Sequence, residues 1–243
     1  MREKKYLGQH FLRNKKILEE IVRAGEISKR DVVWEVGPGH GELTELLAAN
    51  AKKITAVEKD RDLIPLLQEK FRSNKGVKII HGDALKIKNR EKKFKIVANI
   101  PYYITSRFLK NILTEKNKPE LIVLMVQYEV AKRICAKPPE INLLALSVQA
   151  YGKAEFVRKV PRGNFSPPPK VDSAIVKISG ISSKFFKKNE MGEKKFFEIL
   201  RRAFQQKRKM LRHSLKLSNS KFEKMRPEEL SLQDWVEILK NHI

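Results

Sequence analysis

Short apolar runs alternate with stretches of helical spacing along most of this chain of 243 residues. Runs of about five residues that are rich in valine and isoleucine are typical of buried strands. Because the stretches between the first five runs have helical spacing, we predict βαβ units and a parallel sheet. The predicted strands are residues 32–36, 53–57, 77–80, 94–98, 121–126, 154–160 and 174–178.

The helical segments are each predicted to bury one apolar face. The helix after the second strand is predicted to carry Leu63, Leu66, Leu67 and Phe71 as its apolar residues. The helix after the fourth strand is expected to have Thr105 or Ser106 as its N-terminal cap. The helices of this part of the chain are predicted around residues 17–22, 42–50, 63–71, 104–113, 127–133 and 141–150.

Candidate ligand-binding residues follow the first three strands. Residues 37–41 form a glycine-rich turn of spacing GxGxG, which does not meet the dinucleotide fingerprint GxGxxG. The turn therefore favours a neutral or cationic adenosyl ligand and makes a nicotinamide dehydrogenase less plausible. Glu58 stands 21 positions after Gly37, where it can accept hydrogen bonds from both ribose hydroxyls of that ligand. Asp83, after the third strand, can accept from an adenine amino group.

The tetrapeptide Asn99-Ile100-Pro101-Tyr102 follows the fourth predicted strand. Its Asn side chain and the Ile100 carbonyl are two acceptors, since Pro101 holds Ile100 extended, and Tyr102 supplies a flat ring. Two acceptors beside a ring suit the exocyclic amine of a planar base. Taken alone, the same residues also fit an ordinary Asn-Pro turn.

A second aromatic residue, Phe165, precedes three consecutive prolines at 167–169. Prolines stiffen the loop of residues 164–173, so we expect it to present Phe165 on a semi-rigid arm. Phe165 and Tyr102 would then hold a flipped base between them. A linker that buries Phe165 in the core is the alternative.

Composition points to a polyanionic partner. The chain has 52 Lys and Arg against 28 Asp and Glu, a formal net charge of +24, and this surplus favours nucleic acid over a lipid surface. Residues 182–243 carry +8 in 62 residues and keep helical spacing through 194–216, with further short helices near 227–230 and 232–241. The start of the chain has no apolar leader. Since no apolar run in the sequence is long enough to span a bilayer, we expect a soluble cytoplasmic protein. The single cysteine, Cys135, indicates neither a disulfide nor a metal site.

Four segments together carry a resemblance to a known family: residues 9–12, 35–41, 99–102 and 165–173. With these motifs the chain resembles the ribosomal RNA adenine N6,N6-dimethyltransferases, most closely the KsgA type that acts on small-subunit RNA. The resemblance implies a Rossmann-like seven-stranded class I methyltransferase sheet with a small helical C-terminal domain. It also implies that S-adenosylmethionine is the methyl donor and that two adjacent adenines in the 3′-terminal hairpin loop of 16S rRNA are methylated during small-subunit assembly.

Roles carried over by motif follow from the same resemblance. The cofactor would be held by His10, Leu12, Gly37, Glu58, Asp83 and Asn99. The target base would be held by Asn99, Ile100, Pro101, Tyr102 and Phe165. This chain departs from the family at two positions. The family usually has Asn where this chain has His10, which puts the contact made by His10 in doubt, and it often has Lys where this chain has Tyr128.

The predicted organisation is a cofactor-binding catalytic domain at residues 1–181 and a basic helical RNA-binding domain at 182–243. We expect a monomer that binds 16S rRNA and the immature small subunit, with no membrane partner. Two alternatives stay open. One is a 23S rRNA adenine dimethyltransferase of the kind that confers antibiotic resistance, and the other is a non-catalytic RNA-binding assembly or transcription factor on the same scaffold.

Overall fold

The computed structural model describes residues 9–89, 91–206 and 209–241. The basic stretch before Gln9 and the two C-terminal basic residues Lys207 and Arg208 lie outside the described residues. Nine strands occur in the described part: β1 (Phe11–Leu12), β2 (Val32–Val36), β3 (Lys53–Glu58), β4 (Val77–His81), β5 (Lys95–Asn99), β6 (Leu121–Gln127), β7 (Lys153–Val160), β8 (Phe165–Ser166) and β9 (Ser173–Ser179).

Seven of these strands form one sheet, in the order β4-β3-β2-β5-β6-β9-β7. Neighbouring strands from β4 to β6 are parallel, and β9 runs antiparallel to β6. Each of the seven predicted strands is present within about one residue of its predicted bounds, because each is a separate apolar run. The predicted seven-stranded α/β sheet is therefore confirmed.

Helices connect most of the parallel strands, but among the described residues none lies between β4 and β5, so the helix that the spacing predicted for that stretch is wrong. Those of the described residues are α1 (Lys15–Ala24), α2 (Glu42–Asn50), α3 (Ile64–Lys70), α4 (Thr105–Thr114), α5 (Tyr128–Ile134), α6 (Leu143–Gln149), α7 (Lys184–Lys188), α8 (Glu193–Gln205), α9 (Leu211–Ser214) and α10 (Leu232–Asn241). The predicted helical stretch 194–216 is divided between α8 and α9, and α7 was not predicted from the sequence.

Two details of the predicted helices are wrong. Leu66 is 39% exposed, whereas the other three predicted residues, Leu63, Leu67 and Phe71, are buried together. Neither Thr105 nor Ser106 caps α4, since the chain enters the helix directly from a 3₁₀ turn over Tyr102–Ile104 that is already in helical conformation. Thr105 is buried within the first turn of the helix.

The chain divides into two compact units. One contains the described residues up to Ala131 together with Glu155–Ile181, and the other contains Lys132–Ala154 together with the described residues from Ser182 onward. The core of the first unit is the central sheet, where β5 and β6 bury nearly every side chain. The second unit buries Phe196, Phe204 and Trp235. In the part of the chain that the structure describes, each helix is too short or too polar to cross a membrane.

Candidate active site

A cavity lies at the carboxyl ends of the parallel strands, where the topology brings four polar strand ends together. Residues from the ends of β2, β3, β4 and β5 line it. The sequence-predicted residues among its lining are His10, Gly37, Glu58, Asp83, Asn99, Ile100, Pro101 and Tyr102.

The glycine turn after β2 is built from left-handed backbone. Gly37 has φ +69°, and Gly39 has φ +61° with the ring of Phe11 only 2.9 Å from where a Cβ would lie. A side chain at either position would be strained, and at Gly39 it would also collide with the ring. The turn therefore keeps bare backbone against the cavity, as the GxGxG spacing predicted.

Glu58 ends β3 with its carboxylate almost fully buried. Its Oε1 accepts from the Asp60 N–H at 2.7 Å and its Oε2 from the Gly39 N–H at 3.2 Å. Burial raises the pKa of the carboxyl, and the backbone N–H donors of Asp60 and Gly39 oppose this effect. Because each carboxylate oxygen has a second lone pair, Glu58 can still accept two hydroxyl groups.

Asp83, just beyond β4, is partly exposed at the same edge. Its Oδ1 accepts from the Leu85 N–H at 2.9 Å, which fixes the turn after the strand. Its Oδ2 lies 3.6 Å from the Nζ of Lys59. Lys59 therefore lies at the cavity. Its place in the sequence, next to Glu58, did not indicate this.

Asn99 is the last residue of β5. Its Nδ2 donates to the backbone oxygen of His10 at 3.1 Å. The amide thus has a defined orientation in which the donor is occupied, and among the described residues its Oδ1 accepts no hydrogen bond. The acceptor that the sequence predicted is available in the cavity.

Tyr102 is held by contacts on its ring and on its hydroxyl. The His10 ring stacks on it with centroids 5.9 Å apart and an angle of 21° between the planes. Its hydroxyl lies 2.6 Å from the Oγ of Ser173, and burial raises the pKa of the phenol. His10 is fixed in turn, since its Nδ1 donates to the Pro167 carbonyl at 2.9 Å. The arrangement is a cofactor-sized cleft beside an oriented amide and a fixed aromatic ring.

Comparison with known proteins supplies the family. A model of the ribosomal RNA adenine dimethylase family matches residues 1–241. This chain belongs to that family. The resemblance predicted from the four motifs is thereby confirmed.

Two curated relatives cover most of the length of this chain. The ribosomal RNA small subunit methyltransferase A of Dehalococcoides mccartyi (strain CBDB1) is 44% identical over 220 residues, which cover 88% of this chain and 75% of the relative. A protein of the same name from Clostridium botulinum (strain Langeland) is 42% identical over 229 residues, which cover 91% of this chain and 82% of the relative.

Solved structures agree with this assignment. A dimethyladenosine transferase from Plasmodium falciparum has a TM-score of 0.84 at 27% identity and covers 96% of this chain and 99% of its own. The 23S rRNA methyltransferase ErmE has a TM-score of 0.76 at 25% identity and covers 95% of this chain and 100% of its own. The fold of this chain is therefore the Rossmann-like class I methyltransferase fold.

Two predicted site residues do not line the main cavity. Leu12 and Phe165 pair across β1 and β8, and they are only 3% and 4% exposed. The expectation that the proline-rich loop presents Phe165 on an exposed arm is wrong, because this pairing turns its ring into the core. Leu12 lines a smaller neighbouring cavity together with Gly37 and Asn99. Stacking of Phe165 on a base stays a prediction that this position of the ring does not support.

Besides Lys59, the structure places Tyr103 at the main cavity and Glu35 at the smaller neighbouring one. Tyr103 lines the cavity with its ring 58% exposed, beside Lys59, whose Nζ lies 6.0 Å from the ring centroid. Glu35, in the middle of β2, is 1% exposed and accepts from the Thr44 hydroxyl at 2.7 Å. Burial raises the pKa of Glu35 to about 8. A glutamate inside an apolar strand was the available sequence signal for Glu35, whereas the sequence held no sign that Tyr103 is exposed.

Proposed function

We propose that this protein transfers methyl groups from S-adenosylmethionine to N6 of two adjacent adenines in the 3′-terminal hairpin loop of small-subunit rRNA. The observation that carries the proposal is the Asn99 amide, which is oriented by His10 and faces the same cavity as Glu58 and Asp83. Membership in the rRNA adenine dimethylase family and 42–44% identity to small-subunit methyltransferases support it.

The residues present fit S-adenosylmethionine. Gly37 lines the cavity with bare backbone, and no atom lies closer than 3.7 Å to the position that its Cβ would take, so this space is open to a ligand. Glu58 would hold the ribose hydroxyls and Asp83 the adenine amino group, and Gly37 would underlie the methionine part. His10 and Leu12 would line the cofactor, and Asn99 would contact both the cofactor and the target. When bound, the cofactor supplies an electrophilic methyl group on a sulfonium.

The Asn99 Oδ1 and the Ile100 carbonyl would accept the two N–H bonds of the target N6. Hydrogen bonds to both N–H groups would turn the nitrogen lone pair out of conjugation with the ring and toward the methyl group. Pro101 contributes by fixing the direction of the Ile100 carbonyl. Asn99 and Ile100 offer neutral oxygens, so their contribution is positioning and desolvation, and the proton that N6 loses with each transfer passes to solvent. Before the second transfer N6 carries one N–H, which one of the two oxygens would accept.

The target adenine is proposed to stack on the face of Tyr102 that His10 leaves open. A base inserted between two rings needs them about 7 Å apart, twice a stacking distance of about 3.5 Å. The His10 and Tyr102 centroids are 5.9 Å apart, so no base fits between them.

RNA binding is proposed to involve residues 182–243, whose net charge of +8 suits a phosphate backbone. In this proposal residues 1–181 hold the cofactor and the flipped base. We further propose that the protein acts as a cytoplasmic monomer on the immature small subunit. The family match and the overall charge of +24 support an rRNA partner.

A large-subunit substrate is the second candidate, because ErmE matches 95% of the chain. Its 25% identity is well below the 42–44% of the small-subunit relatives, so the small subunit ranks first. A non-catalytic factor is disfavoured by the free Asn99 acceptor and the bare glycine turn.

The deciding experiment incubates the protein and labelled S-adenosylmethionine with undermethylated small subunits or with bare large-subunit RNA. We expect N6,N6-dimethyladenine at two adjacent positions near the 3′ end of the small-subunit RNA. Label in large-subunit RNA alone would favour the second candidate. No cofactor binding by calorimetry would favour the non-catalytic factor.

A further inference from the structure

Ser173 lies at the start of β9 and is completely buried. In register it lies opposite Gln127, at the carboxyl end of β6, which is the edge of the sheet that carries the cavity. Its hydroxyl oxygen is 2.6 Å from the Tyr102 hydroxyl oxygen, across 71 positions of sequence. Among the described residues, this is the one side-chain hydrogen bond of Ser173.

Packing alone does not account for a serine at this position. The next three residues of β9, Ala174, Ile175 and Val176, are also buried and are all apolar. A hydroxyl placed in such surroundings is destabilising unless it finds a partner. Tyr102 is that partner, so the serine and the tyrosine hydroxyl each satisfy the other.

The bond also limits how the Tyr102 ring can move. His10 covers one face of the ring, while Ser173 holds the far end of the phenol. The group that holds His10 is the carbonyl of Pro167, six positions before Ser173. The proline-rich segment from 165 to 173 thus contacts Tyr102 directly through Ser173 and indirectly through His10, and its start is anchored by the buried Phe165.

We propose that Ser173 is a positioning residue, whose hydroxyl holds the Tyr102 ring in the plane on which the target adenine stacks. The segment 165–173 thereby acts on the base through Tyr102 and not through Phe165. This inference rests on the proposed function, because it concerns the same base site.

The test is a double-mutant cycle between the two hydroxyls. We compare the wild type with Ser173→Ala, Tyr102→Phe and the double variant, measuring kcat and KM for small-subunit RNA at saturating S-adenosylmethionine. Each single variant should lower kcat about tenfold, in the range for a buried polar group that loses its partner. The double variant should be no slower than either single variant, because each change removes the same hydrogen bond.

Three further measurements separate positioning from folding. Ser173→Thr keeps a hydroxyl and should recover most of the lost kcat. The cofactor Kd should be unchanged in Ser173→Ala, since Ser173 is not among the residues that line the main cavity. Ser179→Ala is the matched control: it lies in the same strand, paired with Leu121 at the opposite edge of the sheet, and should keep wild-type kcat.

Several results would overturn the proposal. Additive losses in the double variant would show that Ser173 acts independently of Tyr102. Wild-type kcat in Tyr102→Phe would also overturn the proposal, because Tyr102→Phe removes the hydrogen bond and keeps the ring. This result stands even if Ser173→Ala fails to fold. An inactive wild type would instead refute the proposed function, and the role of Ser173 would be rejected with it.

Discussion

The side chain of Asn99 donates to the backbone oxygen of His10 at 3.1 Å, across 89 positions of sequence. This one hydrogen bond joins the end of β5 to the N-terminal segment that carries the predicted cofactor contacts. It also determines which end of the amide is free, since a donor that is already engaged leaves the oxygen as the acceptor. The contact does not depend on the side chain at position 10, because the backbone of His10 makes it.

Removing the Asn99 acceptor is expected to impair catalysis more than binding. Asn99→Ala should lower methyl transfer at least about tenfold, or ~1–3 kcal/mol for a lost polar contact. RNA affinity should be unchanged. Single-turnover rates and RNA binding curves measure the two effects, and Asn50→Ala, at the exposed end of α2, is the control. Wild-type turnover in Asn99→Ala would rule out the assigned role.

Glu35 is expected to make stability depend on pH. Burial raises its pKa from 4.5 to about 8 in the folded protein, so between these values the folded state holds a proton that the unfolded state releases. Stability should therefore fall as pH rises from about 4.5 to 8, by at most ~1.4 kcal/mol per pH unit from this group. Burial also raises the pKa of Glu58, although backbone N–H donors partly oppose this effect, so Glu58 makes stability fall over the same direction of pH change.

The comparison with Glu35→Gln isolates this contribution. Glutamine keeps the shape and can still accept from Thr44, but it does not ionise. Urea unfolding at several pH values should show a shallower decline for the variant than for the wild type. Parallel pH profiles would show that Glu35 is not the titrating group.

The exposed ring of Tyr103 is expected to contact RNA. Tyr103→Ala should raise the KM for RNA about fivefold or more, since stacking of a base on an aromatic ring contributes ~1–3 kcal/mol. Tyr103→Phe should behave like the wild type, and Tm should not change because the ring is 58% exposed. Phe156→Ala removes another exposed ring that is not among those lining the cavity, and it should have no effect on KM. A weaker cofactor Kd with an unchanged KM would assign Tyr103 to the cofactor instead.

The C-terminal basic cluster is expected to set the salt dependence of RNA binding. The quadruple glutamine variant changes Lys207, Arg208, Lys209 and Arg212. It should weaken binding and reduce the slope of log K against log salt by about 3. The control changes four exposed lysines that lie just before β3, β4 and β5, at the sheet edge away from the cavity: Lys52, Lys75, Lys92 and Lys93. An equal reduction of this salt slope in both variants would show that total charge, and not a defined surface, determines the salt dependence of RNA binding.

The sheet and much of the site edge were predictable because their signals are local. Buried parallel strands are continuous apolar runs, and Glu58, Asp83 and Asn99 stand where those runs end. The burial of Phe165 was not predictable from a local signal. Whether an aromatic residue after a strand is exposed or buried depends on what pairs with it, and its partner, Leu12, is more than 150 positions away.

The sequence by itself determined the family, the seven strands of the main sheet, most of the helices, and the chemical types of the residues at the strand ends, because composition, periodicity and short motifs encode these properties. Only the tertiary structure decided which of those residues face one cavity and how they are held. It joined Asn99 to His10 and Tyr102 to Ser173, and it turned Phe165 inward while leaving Tyr103 exposed. The physical reason is that hydrogen bonds and burial depend on distances between segments that are far apart in the chain, and no local pattern records those distances.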